Sequence, residues 1–147
     1  MKQSIKFFIE SKPACKVVTV APLKVRGAKP NSCFLNSLKV SSLKPKYDLQ
    51  SGWLVGDYFD GHGTAFIAHY WVKERESNLH FDPTPKNPID KQCYEYILDL
   101  DIFSNSKPNH YMPASFILLP NNDFKVNLKD ESVVLTDIPS MNFLYGK

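Results

Sequence analysis

The sequence predicts an α+β fold in which one helix packs against an antiparallel β-sheet. Three observations lead to this prediction. The stretch Phe66–Pro85 alternates in hydrophobicity as two short strands joined by a polar turn. A helix-start signal lies at Asn31–Ser32, and further alternating segments follow residue 92. With 147 residues and no break in composition, the chain is expected to form one domain over residues 1–147.

Short strands are expected along most of the chain. Residues 4–9 and 16–21 are rich in β-branched and aromatic types and are each followed by proline, which is typical of short strands or extended segments. Tyr47–Phe59 has the pattern of a long strand, in which Gly52 and Gly56 indicate a bulge or a close backbone approach. Later strands are predicted at Tyr94–Phe103, as a half-buried strand, and at residues 116–119, 124–128 and 133–135.

The predicted helix places a cysteine in its first turn. Asn31 or Ser32 can serve as N-cap, Cys33 follows, and the helix should end at Leu43 because the next residue precedes Pro45. The side that faces the sheet is expected to consist of Phe34, Leu35, Leu38 and Ser42.

The predicted hairpin separates apolar from ionisable side chains. Strand alternation puts Phe66, Ala68, Tyr70, Val72, Leu79 and Phe81 on one face, and Ile67, His69, Trp71, His80 and Asp82 on the other. If the turn is centred on Arg75 and Glu76, His69 lies directly opposite Asp82. If the turn lies one residue later, the faces are kept and the two residues become diagonal neighbours.

These positions suggest a catalytic triad. A cysteine in the first turn of a helix lies near unpaired backbone N–H groups and the positive end of the helix dipole, both of which favour the thiolate. Such a nucleophile needs a base, which His69 can supply, and Asp82 across the hairpin can orient the histidine ring. The candidate catalytic residues are therefore Cys33, His69 and Asp82.

Other histidines offer alternatives. His80 shares a face with His69, so it could be the base instead. It could also join His69 and Asp82 in the zinc site of a small hydrolase, or these two and Cys33 in a metal site. His62 lies in the glycine-flanked loop Asp60–Gly63, where it could gate a substrate or have no role. We nevertheless expect neither a metal ion nor another cofactor.

The order of these residues resembles that in a known superfamily. CFLN at Cys33–Asn36, HYWV at His69–Val72 and HFDPT at His80–Thr84 resemble the core of papain-like and transglutaminase-like cysteine enzymes. The similarity is greatest to small bacterial and phage proteins with a CFxN, HxW and DPT pattern. It covers residues 31–85, a little over a third of the chain.

The resemblance implies a papain-like or transglutaminase-like core and thiol-dependent hydrolysis or acyl transfer on an amide-like bond, with a protein or peptide substrate. Cys33 would attack the carbonyl, His69 would be base and acid, and Trp71 would pack beside the site. The oxyanion would be met by the Cys33 N–H and one side-chain donor, for which Asn31 and Asn36 are candidates. The alternative is a binding protein that keeps this scaffold without turnover, such as a phage-encoded inhibitor of a host system.

The distribution of charge, the apolar runs and the cysteines bear on the partners and the location of the protein. Residues 1–50 hold ten Lys or Arg but only Glu10 and Asp48 as acids, although the whole chain has a net charge of only +3. Without a nucleic-acid-binding motif, this basic third is expected to be a solvated surface. The apolar run Phe7–Ile9 is too short for a signal peptide or membrane span, and three cysteines without CxxC spacing argue against disulfides. We therefore expect a cytoplasmic protein without membrane association.

Overall fold

The computed structural model describes residues 1–59, 61–87, 93–102, 113–128 and 131–144. Within these ranges helices combine with a nine-stranded, largely antiparallel sheet, which confirms the α+β class. The helices are α1 (Gln3–Ser11), α2 (Cys33–Leu43) and α3 (Met141–Leu144). The strands are β1 (Lys16–Val18), β2 (Val20–Pro22), β3 (Tyr47–Asp57), β4 (Thr64–Glu74), β5 (His80–Asp82), β6 (Glu95–Leu98), β7 (Ser115–Leu118), β8 (Phe124–Asn127) and β9 (Ser132–Leu135).

The sheet is organised around the long β3–β4 hairpin. The strand order is β1-β6-β3-β4-β7-β8-β9, and β5 is attached to β4 and also pairs with β2. The β2–β5 pair is parallel and the other described pairs are antiparallel. The strands predicted after residue 115 are present. None of the described helices has the length and apolar character needed to span a bilayer.

The first predicted strand is wrong, because residues 4–9 belong to helix α1. Ile5 and Phe8, three residues apart, lie on one helix face and are both fully buried. The Phe8 ring contacts Phe66 at 4.8 Å and Trp53 at 6.3 Å between ring centroids. Burial of this face against the sheet outweighs the strand preference of the aromatic residues.

Helix α2 begins at Cys33 and ends at Leu43, as predicted, but its buried face differs. Leu35, Leu38 and Ser42 are exposed, whereas Asn36, Ser37 and Val40 are buried. The Ser37 hydroxyl donates to the Tyr70 carbonyl at 3.1 Å. The helix approaches β4 closely through small and polar side chains, so an apolar stripe is a poor guide to its orientation.

Strand β3 shows the close approach that Gly52 indicated, but no bulge. Its pairing with β4 is unbroken from Tyr47 opposite Glu74 to Asp57 opposite Thr64. A Cβ atom on Gly52 would lie 2.0 Å from the Ile97 carbonyl oxygen and 2.4 Å from the Trp71 ring. Glycine is therefore required where β6 and the Trp71 indole both crowd β3.

The β4–β5 pairing settles the register of the predicted hairpin. Val72 lies opposite Phe81 and Lys73 opposite His80, so the register with the later turn is correct. The register that places His69 directly opposite Asp82 is wrong. The two residues are diagonal neighbours on one face, which keeps the predicted division of side chains between the two faces.

The predicted strand Tyr94–Phe103 is shorter than expected, since β6 covers only Glu95–Leu98 and Phe103 lies outside the described residues. The alternation of this segment also predicts Leu100 and Ile102 on the buried face and Asp99 on the exposed face, and of these only Ile102 is as expected. Asp99 is buried and Leu100 is exposed. The Asp99 carboxylate is drawn inward because it accepts hydrogen bonds from Lys12 and from the Trp53 indole.

Candidate active site

Strand β4 has a gap in its pairing where the candidate triad assembles. One edge of β4 pairs with β7 at Thr64–Ile67 and with β5 at Val72–Lys73. The backbone around Tyr70, between these two pairings, is met instead by the start of helix α2. The Tyr70 N–H donates to the Cys33 sulfur, and the Tyr70 carbonyl accepts from Ser37. The gap therefore brings the first residue of α2 next to His69.

The Cys33 thiol and the His69 imidazole are hydrogen-bonded. On the other side of the ring, His69 Nε2 lies 2.7 Å from Asp82 Oδ2. Because Nε2 is occupied by the carboxylate, Nδ1 is the ring nitrogen that is left for the thiol. The three residues named from the sequence as a triad are thus joined in the order Cys33, His69, Asp82.

Asp82 is held by three donors. Its Oδ2 atom accepts from His69 Nε2 and from the Tyr96 hydroxyl, which is 2.6 Å away. Its Oδ1 atom accepts from the Thr84 backbone N–H at 2.9 Å. With both oxygens bonded, the carboxylate is fixed in place although it is buried.

The electrostatics of the site favour charge separation. Burial by itself would raise the pKa of the Cys33 thiol, but the bond to His69 and the Tyr70 N–H outweigh burial and hold that pKa below its ordinary value. Burial likewise opposes charge on His69, yet Asp82 and Cys33 together raise its pKa. Burial would raise the pKa of Asp82, but its bonds to His69, Tyr96 and Thr84 keep that pKa low. Compared with an isolated cysteine and histidine, these shifts favour transfer of the thiol proton to the imidazole, which gives a thiolate and an imidazolium.

Trp71 packs beside the triad and is fully buried. Its ring is stacked near His69, with centroids 6.2 Å apart, and its indole N–H donates to His80 Nδ1 at 2.9 Å. Burial lowers the pKa of His80, and Lys73 and Lys16 lower it further, so the ring is neutral and can accept this bond. The second histidine on this face therefore supports Trp71, while His69 contacts the thiol.

A cleft of about 1030 Å³ opens beside Cys33, His69 and Asp82. Most of the other side chains that line it are apolar or aromatic, among them Val20, Pro22, Phe34, Leu54, Ile67 and Tyr94. Outside the triad, Lys86 is the charged side chain among the described lining residues. The site is thus reached from a large and mostly apolar groove.

Of the two side chains predicted as oxyanion donors, Asn31 lies at the cleft and Asn36 does not. Asn31 lines the cleft and has a positive φ of 62°, so its backbone turns sharply just before α2. The Asn36 amide nitrogen instead donates to the Lys29 carbonyl at 2.8 Å and to Thr84 Oγ1 at 3.0 Å. Asn36 therefore connects α2 to the loop after β5, and it does not line the cleft.

The remaining predicted groups lie apart from the site. His62 is exposed and does not line the cleft. Across the part of the chain that the structure describes, no group of three or more His, Cys, Asp or Glu side chains is arranged to hold a metal ion. The zinc site considered from the sequence therefore has no matching geometry there.

Two contacts of the triad were not predicted. From the sequence, Tyr96 was placed only within the half-buried strand Tyr94–Phe103, and Thr84 only within the motif His80–Thr84. Tyr96 reaches Asp82 because β6 lies next to β3, and this pairing of distant segments has no local sequence signal. An aspartate followed two residues later by threonine is a recognisable Asx-turn signal, which could have identified the Thr84 N–H.

Searches against models of known protein families, curated proteins and solved structures gave no significant match.

Proposed function

We propose that this protein is a thiol-dependent hydrolase or acyltransferase that acts on an amide-like bond, with Cys33 as nucleophile, His69 as base and acid, and Asp82 as the third member of the triad. The proposal is carried by the hydrogen-bonded chain from the Cys33 sulfur through His69 to Asp82, at the wall of a cleft. The same residues carry the resemblance to papain-like and transglutaminase-like enzymes. We extend the proposal to that core fold.

The first half of the reaction forms an acyl-enzyme. The Cys33 thiolate attacks the substrate carbonyl carbon, and the carbonyl π electrons move to oxygen to give a tetrahedral oxyanion. The oxyanion is stabilised by the Cys33 backbone N–H, which lies at the first helical position and has no intrahelical acceptor, and by a donor such as Asn31. When the oxyanion collapses, the C–N bond breaks and His69 gives its Nδ1 proton to the leaving amine.

The second half releases the acyl group. Neutral His69 takes a proton from water or from an acceptor amine, which attacks the thioester carbonyl. The C–S bond then breaks and restores the Cys33 thiolate beside the imidazolium. Throughout, Asp82 accepts the Nε2 hydrogen bond, so it keeps the ring oriented and stabilises the positive charge.

The cleft supports a peptide or protein as substrate. Its volume of about 1030 Å³ is slightly above the range of roughly 300–1,000 Å³ that is typical of small-molecule pockets. Apolar and aromatic lining favours large neutral side chains, which gain most from leaving water. The expected substrate therefore presents an uncharged, apolar segment next to the amide that is attacked.

The experiment that tests this proposal traps the acyl-enzyme. The protein is mixed with p-nitrophenyl acetate, release of nitrophenolate is followed in a stopped flow, and the acetyl group is located by peptide mass mapping. We expect a burst equal to one site per molecule and acetyl on Cys33. Adding a primary amine to the reaction then distinguishes acyl transfer from hydrolysis by the product that forms.

Cysteine variants provide the controls. Cys33→Ala should lose the burst while keeping its circular dichroism spectrum, and Cys15→Ala should keep the burst because Cys15 does not line the cleft. A folded Cys33→Ala protein that is as active as the wild type would contradict the proposal.

A further inference from the structure

Tyr96 makes a second strong hydrogen bond to the triad carboxylate. Its hydroxyl lies 2.6 Å from Asp82 Oδ2, the same oxygen that lies 2.7 Å from His69 Nε2. An ionised carboxylate can only accept hydrogen bonds, so the Tyr96 hydroxyl is the donor. Bonds of this kind to a charged group are short and about twice as strong as neutral ones.

The Tyr96 side chain is held rigidly. Its backbone lies in β6 between Val18 of β1 and Leu54 of β3. Its ring packs edge-on against Trp71, with centroids 5.3 Å apart and planes at 86°, and lies 5.9 Å from the His69 ring. A hydroxyl fixed in this way can set the position of the group that it binds.

We propose that Tyr96 is a positioning residue for the triad, whose hydroxyl fixes Asp82 and moderates the negative charge that Asp82 exerts on His69 and Cys33. The inference rests on the function proposed above. Donation from Tyr96 draws charge from Oδ2, the oxygen that faces the imidazole. It therefore limits how strongly Asp82 stabilises the His69 imidazolium, which must give up its Nδ1 proton when the leaving amine is protonated.

The direction of the effect follows from the groups that face His69. These are Cys33 from α2 and Asp82 from β5, with Tyr96 contributing from β6 through its bond to Asp82. Lys86 lines the same cleft, and His80 is bonded to the indole of Trp71. Removing the Tyr96 hydroxyl leaves more negative potential at both ends of the Cys33–His69 pair, so the pKa of each should rise.

The test compares Tyr96→Phe with the wild type and with Tyr58→Phe, which removes a phenol hydroxyl that does not line the cleft. The rate of Cys33 alkylation by iodoacetamide is measured from pH 4 to pH 11, with the site confirmed by mass mapping. The wild type should show two inflections, one as the thiolate–imidazolium pair forms and one as the imidazolium loses its proton. In Tyr96→Phe both should move to higher pH by roughly 0.5 to 1 unit, and Tyr58→Phe should match the wild type.

The possible outcomes separate the two proposals. A Tyr96→Phe profile that coincides with the wild type, or that is lowered equally at every pH, would overturn the positioning role and leave the triad intact. Slow alkylation of Cys33 in the wild type, at the rate of Cys15 and Cys93, would overturn the proposed function itself.

A measurement on the wild-type protein covers the case in which Tyr96→Phe does not fold. Burial and the adjacent Asp82 charge raise the pKa of Tyr96, and its ring carbon next to oxygen can be followed by NMR in protein labelled on tyrosine. This signal should stay unshifted through the pH range around 10 in which an ordinary phenol ionises. If it shifts in that range, Tyr96 does not donate to Asp82 and the inference is wrong.

Discussion

Two buried carboxylates in this protein each lie near a thiol. In one case a histidine separates the carboxylate from the thiol, and in the other case it does not. Asp82 is 7% exposed and is separated from Cys33 by the imidazole of His69, which bonds to both. Asp99 is 4% exposed and is bonded to the thiol of Cys15 directly. The pKa of Cys33 is lowered as a result, whereas burial and then Asp99 raise the pKa of Cys15 to about 12.

The second cluster has a structural role. Asp99 accepts from Lys12 Nζ at 2.7 Å and from the Trp53 indole at 2.9 Å, and its other oxygen accepts from the Asp101 N–H at 3.1 Å. These bonds tie the end of α1 to the turn after β6. The comparison indicates that burial beside a carboxylate raises the pKa of a thiol, whereas a histidine between the two groups lowers it.

The largest expected difference is between the two aspartates. Asp82→Asn should reduce turnover roughly 10³- to 10⁴-fold, because an amide cannot stabilise the His69 imidazolium. Asp99→Asn should keep most activity but lower the free energy of unfolding by about 2 kcal/mol, because the part-buried Lys12 loses the nearer of its two carboxylate partners and keeps only Asp101 at 3.3 Å. Acylation kinetics and urea unfolding measure the two effects. If folded Asp99→Asn is as inactive as Asp82→Asn, the distinction between the clusters is wrong.

A second difference concerns pH. Because the pKa of Cys33 is lowered, its thiolate should be present below the pH at which an ordinary cysteine ionises. Because the pKa of His69 is raised, its imidazolium should persist above pH 6.5, so the two shifts together widen the pH range in which the ion pair exists. Ultraviolet difference spectra should show a thiolate that forms below the pH at which a free cysteine ionises, present in Cys15→Ala and absent in Cys33→Ala. A thiolate signal that first appears above pH 9 would refute the shift.

A smaller effect is expected at Gly52 of β3, which lies opposite His69 of β4. The neighbouring Ser51 hydroxyl donates to the Asp99 carbonyl. In Gly52→Ala the new Cβ must displace Trp71 or the β6 backbone, so we expect a loss of about 3 kcal/mol in unfolding free energy and slower labelling of Cys33. Gly61→Ala is the control. A Cβ there meets nothing within 4 Å, and its positive φ of 94° should cost only about 1 kcal/mol. Equal losses in the two variants would mean that Gly52 is not crowded.

The smallest expected effect is at His80. His80→Ala removes the acceptor of the buried Trp71 N–H and should reduce the rate of Cys33 acylation less than tenfold, with a cost of about 1–2 kcal/mol in unfolding free energy. His69→Ala, measured in parallel, should lose almost all activity. If His80→Ala is the more damaging of the two, then His80 is the base and the triad must be reassigned.

Sequence patterns predicted those parts of the site that depend on local signals. The start of α2 at Cys33 follows from the residues just before it, and its end follows from Pro45. The shared face of His69 and Asp82 follows from strand alternation, which holds for both registers considered. The choice between the registers had no clear signal, because the turn lacks an Asn-Gly pair and is closed by Asn78 at a φ of 60°.

The parts that were missed depend on contacts between distant segments. Helix α1 forms because Phe8 packs against Phe66, and that contact overrides local strand preference. Tyr96 became part of the site through the pairing of β6 with β3. Asn36 resembled an oxyanion donor in sequence, but its bond to Thr84 joins residues that are 48 positions apart.

Competitive labelling of the folded protein tests the central claim most directly. The wild type is treated with a limiting amount of iodoacetamide at pH 6, and the fraction modified at each cysteine is measured by mass mapping. We expect Cys33 to be modified at least tenfold faster than the exposed Cys93, and Cys15 to stay unmodified. If all three are modified slowly and equally, or if Cys93 reacts first, Cys33 is not an activated nucleophile. The protein would then be better explained as a binding protein without turnover.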